Sequence, residues 1–232
     1  MLSNNQFVVI GIGQFGEAIA RSLSEKGAEV LAIDKNQEKV DYIANDVAYA
    51  VALDSTDKNA LLSQNIQEYD AVVIAIGEDF EELLLTAVNL IELNIKRIIV
   101  RAKGKVNRLI LEKLGLTEIF SPEHAVGAVV AERLLNPSIV NFLDLPDGYV
   151  ITELKAPKSV VGQTLQEMQL RESYNINLVT IKNEVEEKEG EKTVKKQHIK
   201  GVPHRDTVIN ENDYLVVFGS TKDIQKFIDI NS

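Results

Sequence analysis

The sequence predicts a doubly wound parallel α/β domain followed by a small α+β domain. Three observations carry that prediction. The first 135 residues alternate short apolar runs with helix-period stretches, as a sheet covered by helices on both faces requires. Residues 7–34 read strand, glycine turn, helix, strand and acid. Beyond Pro146-Asp147-Gly148 the alternation gives way to short strands separated by turn residues.

The opening unit is the most informative. Phe7-Val8-Val9-Ile10 is a continuous apolar run, suited to a strand buried on both faces. Gly11-Ile12-Gly13-Gln14-Phe15-Gly16 follows, and Phe15, Ala18, Ile19 and Leu23 then recur at helical spacing. Val30-Leu31-Ala32-Ile33 is the next strand and ends at Asp34, 18 residues after Gly16, close to the ~20 of a Rossmann-like dinucleotide unit. Each glycine has a physical task. Gly11 permits the tight turn, Gly13 lets backbone approach a diphosphate, and Gly16 lets helix pack on strand. The whole turn, from Gly11 through Ile12, Gly13, Gln14 and Phe15 to Gly16, is thus the candidate phosphate site, with helix-start amides facing the oxygens. Asp34 is placed to accept hydrogen bonds from both ribose hydroxyls. Its charge would repel a 2′-phosphate, which disfavours NADP.

The remaining elements follow in order. A helix is expected over 37–45 and a strand over 47–53, and then Asp54-Ser55-Thr56-Asp57 caps a helix running to Asn65. Residues 71–76 form an apolar strand ending at Gly77. A long helix over 79–93 puts Leu83, Leu84, Ala87, Val88 and Ile91 inward. A strand at 97–101, a helix at 105–114 closed by Gly115, and a short strand at 118–120 complete a six-stranded sheet. Ser121-Pro122-Glu123 reads as cap, first helical proline and first-turn acid of a helix stopped by Asn136-Pro137. The domain organisation expected is therefore 1–136, a linker over 137–148, and a second domain over 149–232. That domain should hold a strand at 149–154, a helix at 162–170, strands at 177–182, 207–209 and 214–218, and a terminal helix at 222–230. The charged run 183–200 suits a hairpin tip or mobile loop.

Composition narrows the function. A formal net charge of −10 argues against a nucleic-acid partner, because a phosphate backbone needs a basic stripe. The absence of cysteine removes disulfides and thiolate metal sites. The start of the chain has neither a basic lead nor an apolar signal core, and no apolar run reaches the ~18 residues of a membrane span. A cytosolic protein is expected, reaching a membrane only through a partner and not by insertion. A dinucleotide fold suggests a dehydrogenase, yet hydride transfer needs an acid or base beside the nicotinamide. His124 lies in a helix first turn, His198 and His204 lie in or beside the charged run, and no tyrosine is followed by lysine four residues later. No G-x-S-x-G turn and no metalloprotease histidine pair is present. The chain reads as one that binds a nucleotide without transforming it.

The glycine turn, Asp54-Ser55-Thr56-Asp57, Ala75-Ile76-Gly77, Arg101 at a strand end, Ser121-Pro122-Glu123 and the small C-terminal domain together resemble the RCK family, regulators of potassium conductance. The layout is most similar to the cytosolic subunits of Ktr/Trk-type potassium uptake systems. The resemblance implies homodimers that assemble into a ring, commonly an octamer, docked on an integral-membrane potassium channel or transporter. It implies that ATP, ADP, AMP or NAD(H) in the glycine-turn site alters ring geometry and gates that partner. It further implies that a cation can join the phosphates and that the second domain can take another effector, in some relatives a cyclic dinucleotide.

Carried over residue by residue, the resemblance matches Gly11, Gly13 and Gly16 to the phosphate turn and Asp34 to the ribose acid, with Lys35 along the adenosine edge. It matches Asp54, Ser55 and Thr56 to the adenine and ribose side, and Ala75, Ile76 and Gly77 to the strand beneath the nucleotide. Arg101 matches a basic position near the phosphates, and Glu123 an acid that assists a cation at the γ-phosphate. Plainer roles exist for some of these. Asp54 or Thr56 also suits a helix cap, Glu123 a helix dipole, and Arg101 an ion pair with a surface carboxylate. One departure stands out: several ATP-sensing relatives carry arginine where this chain has Gln14. A neutral amide lowers the expected discrimination of ATP from ADP, or favours NAD(H), AMP or ADP. Ala125, Val126, Ala128, Val129, Val130, Leu134 and Leu135 nearly encircle their helix. Such a helix is either buried in its own domain or packed on a partner subunit, and the resemblance selects the partner. The competing readings are an NAD-linked oxidoreductase, an RCK-type regulator of another ion transporter or antiporter, and more distantly a methyltransferase.

Overall fold

Strand β1 (Gln6–Ile10) lies at the centre of the first sheet, hydrogen-bonded on one side to β2 (Glu29–Asp34) and on the other to β4 (Ala71–Ile74). The computed structural model describes residues 5–135, 139–189 and 192–231. The chain divides into two compact units, Met1–His124 and Ala125–Ser232.

In the first unit α1 (Gln14–Glu25) joins β1 to β2, and α2 (Gln37–Ile43) leads to the edge strand β3 (Tyr49–Ala52). Helix α3 (Lys58–Ser63) leads to β4, α4 (Phe80–Glu92) to β5 (Ile98–Arg101), and α5 (Gly104–Lys113) to β6 (Glu118–Phe120). The strand order is β3-β2-β1-β4-β5-β6, parallel throughout. The order reverses between β1 and β4, and in such sheets ligands sit outside the strand C-termini at that reversal. Side chains of β1 alternate between two cores. Val8 and Ile10 join Leu61 of α3, Leu83 and Leu90 of α4 and Leu111 of α5, whereas Val9 joins Ala20 of α1 and Ile43 of α2. Helices therefore cover both faces, as the continuous apolar strands predict.

The helix starts differ in a way that matters for the site. Asn36, Asp57 and Asp79 cap α2, α3 and α4 by accepting from backbone N–H groups of the first turn. Gly13, at the start of α1, supplies no side-chain cap, and neither does Lys103 at the start of α5. The inner face of α4 departs from expectation. It buries Leu83, Thr86, Ala87 and Leu90, while Ile91 is exposed. Thr86 is drawn inward because its hydroxyl meets the buried Ser55 hydroxyl at 2.7 Å.

In the second unit α6 (Pro122–Leu135), which begins in the first, is followed by β7 (Ile139–Asp144) and β8 (Tyr149–Lys155). Short helices α7 (Leu165–Met168) and α8 (Leu170–Tyr174), strands β9 (Asn177–Glu189), β10 (Lys192–Ile199) and β11 (Asp213–Ser220), and α9 (Thr221–Asn231) complete it. The strands form an antiparallel sheet of order β10-β9-β11-β8-β7. Leu154, Ile181, Leu215 and Val217 pack there with Ile224 and Phe227 of α9.

Four expectations are corrected in this unit. The stretch read as a linker over 137–148 carries β7. Its β-prone run is long enough to pair with β8 across a turn in which Asp147 and Gly148 take positive φ. The charged run 183–200 is mostly paired strand, with register continuous from Ile199 opposite Lys182 to Lys192 opposite Glu189. The helix expected over 162–170 is broken at Gln169, whose φ of 43° lets both Met168 and Leu170 reach the core. In addition, the strand expected at 207–209 is reduced to a single bridge between Thr164 and Val208.

A Cβ added at Gly16 would fall 1.9 Å from the Gly11 carbonyl oxygen and 3.1 Å from Ala75 Cβ, both parts of the β1/β4 junction. Gly16→Ala is expected to destabilise the protein by ~1–3 kcal/mol through overpacking. Urea denaturation measures this, and an unchanged midpoint would contradict the packing role.

Candidate functional site

Where β1 ends, Gly11 turns the chain with a φ of 93° and donates its N–H to the Ile33 carbonyl at 2.7 Å. A Cβ at Gly11 would sit 2.9 Å from the Ile76 backbone nitrogen, so only glycine fits between β1 and β4. The next amide, Ile12 N–H, donates to Asp34 Oδ2 at 2.7 Å in a buried bond. Asp34 Oδ1 accepts from Asn36 N–H at 2.9 Å, and Lys39 Nζ lies 3.4 Å from Oδ2. Asp34 is buried, and its charge is met by two amides and one cation. A carboxylate has about four acceptor sites; Oδ2 uses both of its own on Ile12 and Lys39, so the remaining capacity toward the cleft lies on Oδ1.

That cleft, of about 700 Å³, lies within the first unit and opens over the ends of β1 and β4. Gly11, Gly13 and Gln14 reach it from the turn, Asp34 and Lys35 from the end of β2, and Ser55 from the loop after β3. Ala75, Ile76 and Gly77 form its floor beyond β4, and Arg101 enters from the end of β5. A Cβ at Gly13 would meet nothing within 4 Å. The glycine leaves that space open beside the uncapped start of α1, where backbone N–H groups and the helix dipole favour an anion.

The other expected residues stand outside the lining. Ile12 is buried in the core beneath α1 and α2. Phe15 lies under the guanidinium of Arg101, whose Cζ is 5.4 Å from the ring centroid. Gly16 serves packing. Asp54 folds back on Thr56, accepting from its N–H at 2.9 Å and its hydroxyl at 2.7 Å. The cap of α3 is Asp57 instead, with Oδ1 accepting from Asn59 and Ala60. Ser55 is held by Thr86, and Asn89 Nδ2 donates to the carbonyls of Ser55 and Thr56, so α4 pins this loop. Glu123, in the first turn of α6, accepts from Arg101 Nη2 rather than reaching the cleft wall.

Several lining residues carry no pattern in the sequence. Lys39 and Lys103 add positive charge, and Glu78, Asp79 and Glu82 add negative charge. Lys35 Nζ reaches Glu82 at 2.7 Å, joining the end of β2 to α4, and this hydrogen bond holds the Lys35 ammonium above its usual pKa. Asp79, the first residue of the helix expected over 79–93, is the cap of α4 in the structure. Gly77 acquires a specific reason: a Cβ there would lie 2.6 Å from Arg101 Nη1, so glycine makes room for the guanidinium. The arrangement can accept ribose hydroxyls at Asp34 and anionic oxygens between Gly13 and Arg101. Among the described residues no group of three or more acidic or histidine side chains is disposed to hold a metal ion.

A family model described as the TrkA-N domain matches residues 7–122, and one described as the TrkA-C domain matches residues 149–231. The chain belongs to the RCK family of TrkA-N and TrkA-C proteins. Ktr system potassium uptake protein A of Bacillus subtilis is 34% identical over 226 residues, covering 97% of this chain and 96% of its own. Ktr system potassium uptake protein C of the same organism is 33% identical over 222 residues, covering 96% of this chain and 95% of its own. Among solved structures, the GsuK RCK domain shares the fold with a TM-score of 0.62 at 16% identity over 98% of this chain, which spans 47% of that one. The GsuK channel bound to NAD gives a TM-score of 0.61 at 16% identity over 97% of this chain and 39% of that one. Among the described residues of this RCK protein, no helix is long and apolar enough to cross a membrane.

Two carboxyls of the site region titrate low. The Thr56 hydroxyl, then the Thr56 amide, hold Asp54 below the usual carboxylate range. Its own backbone N–H, then the Arg101 guanidinium, do the same for Glu123. A carboxyl with a lower pKa when folded stabilises the protein above its unfolded pKa of ~4, and that contribution is lost as pH falls through the folded value. Stability measured by calorimetry should therefore hold above about pH 5 and decline below about pH 4. A rise in stability on acidification through this window would contradict the assignment.

Proposed function

We propose that this chain is the cytosolic nucleotide-sensing subunit of a Ktr-type potassium uptake system. It would bind an adenine nucleotide or NAD(H) without consuming it and bias a membrane potassium transporter toward one of its states. The observation that carries this reading is the joint placement of Asp34 and the glycine turn at the sheet reversal, with Arg101 opposite. That set supplies a ribose acceptor, helix-start amides and a cation for phosphate in one cleft. Similarity to two potassium uptake proteins along nearly the full length of each supports the transport context. Among the described residues that line the cleft there is no histidine or tyrosine, which favours sensing over the dehydrogenase reading.

The ligand side follows from the residues. Gln14 supplies no charge for a terminal phosphate, so ADP, AMP or NAD(H) suits the cleft as well as ATP does. In the second unit the residues lining a cavity of about 560 Å³ include Leu165, Leu170, Ile176, Arg171, Arg205 and the acid Glu172. Its apolar wall and two guanidinium groups suit a second effector with bases and phosphates, such as a cyclic dinucleotide.

The assembly side rests on α6. Val126, Val130, Leu134 and Leu135 are all exposed, the last two at 77%. Burial of this helix within its own unit does not account for its composition. Packing on a second copy would, and dimers would then build a ring, an octamer if the family resemblance holds. A nucleotide shifts such a ring only through unequal affinity for its arrangements, and coupling of ~1–3 kcal/mol per site is typical.

Three experiments test this reading. Asp34→Ala should weaken ADP, AMP and NAD(H) at least about ten-fold in calorimetry, as expected for removing a charged hydrogen-bond acceptor, with thermal unfolding confirming the fold. Unchanged affinity would remove the ribose role. In wild type, ATP should bind within about ten-fold of ADP, a gap below ~1.4 kcal/mol, and a larger preference for ATP would contradict the role given to Gln14. Native mass spectrometry at micromolar concentration should show dimers or multiples of dimers, and a stable monomer would refute the interface on α6.

A further inference from the structure

Among the described residues that line the cleft, Arg101 carries a guanidinium fork that is only half used. The contrast within the same sheet is direct. Arg97, four residues earlier, grips Glu118 through both Nε and Nη2, at 2.8 and 2.7 Å. Arg101 holds Glu123 through Nη2 alone. Its Nε is buried and has no hydrogen-bond partner among the described residues. The guanidinium lies over the Phe15 ring, in space that the missing Cβ of Gly77 leaves open. It lines the cleft, whereas Glu123 does not.

From this geometry, and resting on the nucleotide reading above, we propose that Glu123 is a specificity-determining residue that competes with the ligand's phosphate for Arg101. Glu123 is an anion of the chain itself, held at the guanidinium that a phosphate needs. A ligand without phosphate leaves the Arg101–Glu123 pair intact. A diphosphate offers two oxygens to the fork, including one for the unpartnered Nε, and carries more charge than a carboxylate. It therefore displaces Glu123, at the cost of that ion pair.

The displaced carboxylate keeps two partners. Its own backbone N–H lies at the start of α6, and Lys103 adds a favourable charge nearby. Because α6 begins in the first unit and continues into the second, the exchange acts on the first turn of the segment that joins them. Glu123 thus sets how strongly the cleft prefers phosphorylated adenosine, and phosphate binding changes what holds the start of α6. This role is opposite in sign to that of an acid recruiting a cation to the ligand. A recruiting acid strengthens nucleotide binding, whereas a competing one weakens it.

The test is calorimetric titration of the full chain with ADP and with adenosine, in chelator so that no divalent cation contributes. Wild type, Glu123→Gln and Arg101→Ala/Glu123→Gln are compared with Arg101→Ala. Glu123→Gln keeps the shape and removes the charge, and Glu123→Ala should act in the same direction. For a partly exposed ion pair the expected gain in ADP affinity is about three- to five-fold, with adenosine unchanged and no gain when Arg101 is absent. An ADP affinity equal to or below wild type in Glu123→Gln would overturn the proposal. So would an equal gain for adenosine, or a gain that persists without Arg101. Failure of wild type to bind either ligand would instead remove the nucleotide reading on which the proposal stands.

Discussion

The hydrogen bond from Ile12 N–H to Asp34 Oδ2 is the constraint on which the rest of the site depends. It ties the glycine turn after β1 to the end of β2 at 2.7 Å, buried from water. With that bond made, Gly11 can pass close to Ile76, Gly13 is left at the open start of α1, and Gly16 can press against the Gly11 carbonyl and Ala75. Breaking it would leave a buried carboxylate short of a donor and the turn free to relax, and an unsatisfied buried charge of this kind is costly. One acid thus shapes the phosphate turn with one side of its carboxylate and faces the cleft with what remains.

Around this centre the charges of the cleft are mutually engaged. Lys35 is joined to Glu82, Lys39 approaches Asp34, and Arg101 is joined to Glu123. Such pairing keeps several cations beside an anion-binding helix start without strong mutual repulsion. On the nucleotide reading proposed above, a phosphate that takes up Arg101 does so by exchange with Glu123. If the chain is the sensor proposed above, that arrangement would couple binding to the release of Glu123 at the start of α6. A ligand bound with no such exchange would have nothing by which to favour one arrangement of the protein over another.

The first sheet was legible in the sequence because its constraints are local. Continuous apolar runs, a glycine turn and polar residues at helix starts each signal themselves within a few residues, and the 3-2-1-4-5-6 order follows from the dinucleotide unit. The inner face of α4 was misplaced by one position because Thr86 pairs with Ser55, a contact 31 residues distant that no periodicity announces. The second unit was less legible. A lysine- and glutamate-rich run resembles a solvated loop, yet strand pairing between β9 and β10 needs only backbone groups and a tolerable register. The break at Gln169 depends on where two side chains must go, which is a property of the core and not of the segment. At the site, residues whose task is backbone geometry were found from spacing alone. Lys39, Lys103, Glu78 and Glu82 were not, because a surface charge looks the same in sequence whether or not it faces a cleft.

A crystal structure of the protein grown with saturating ADP tests the central claim most directly. The account predicts electron density for adenosine ribose on Asp34 and for the diphosphate between Gly13 and Arg101, with one ligand per protomer. Density for ADP elsewhere on the chain, or none in this cleft at saturating concentration, would contradict it.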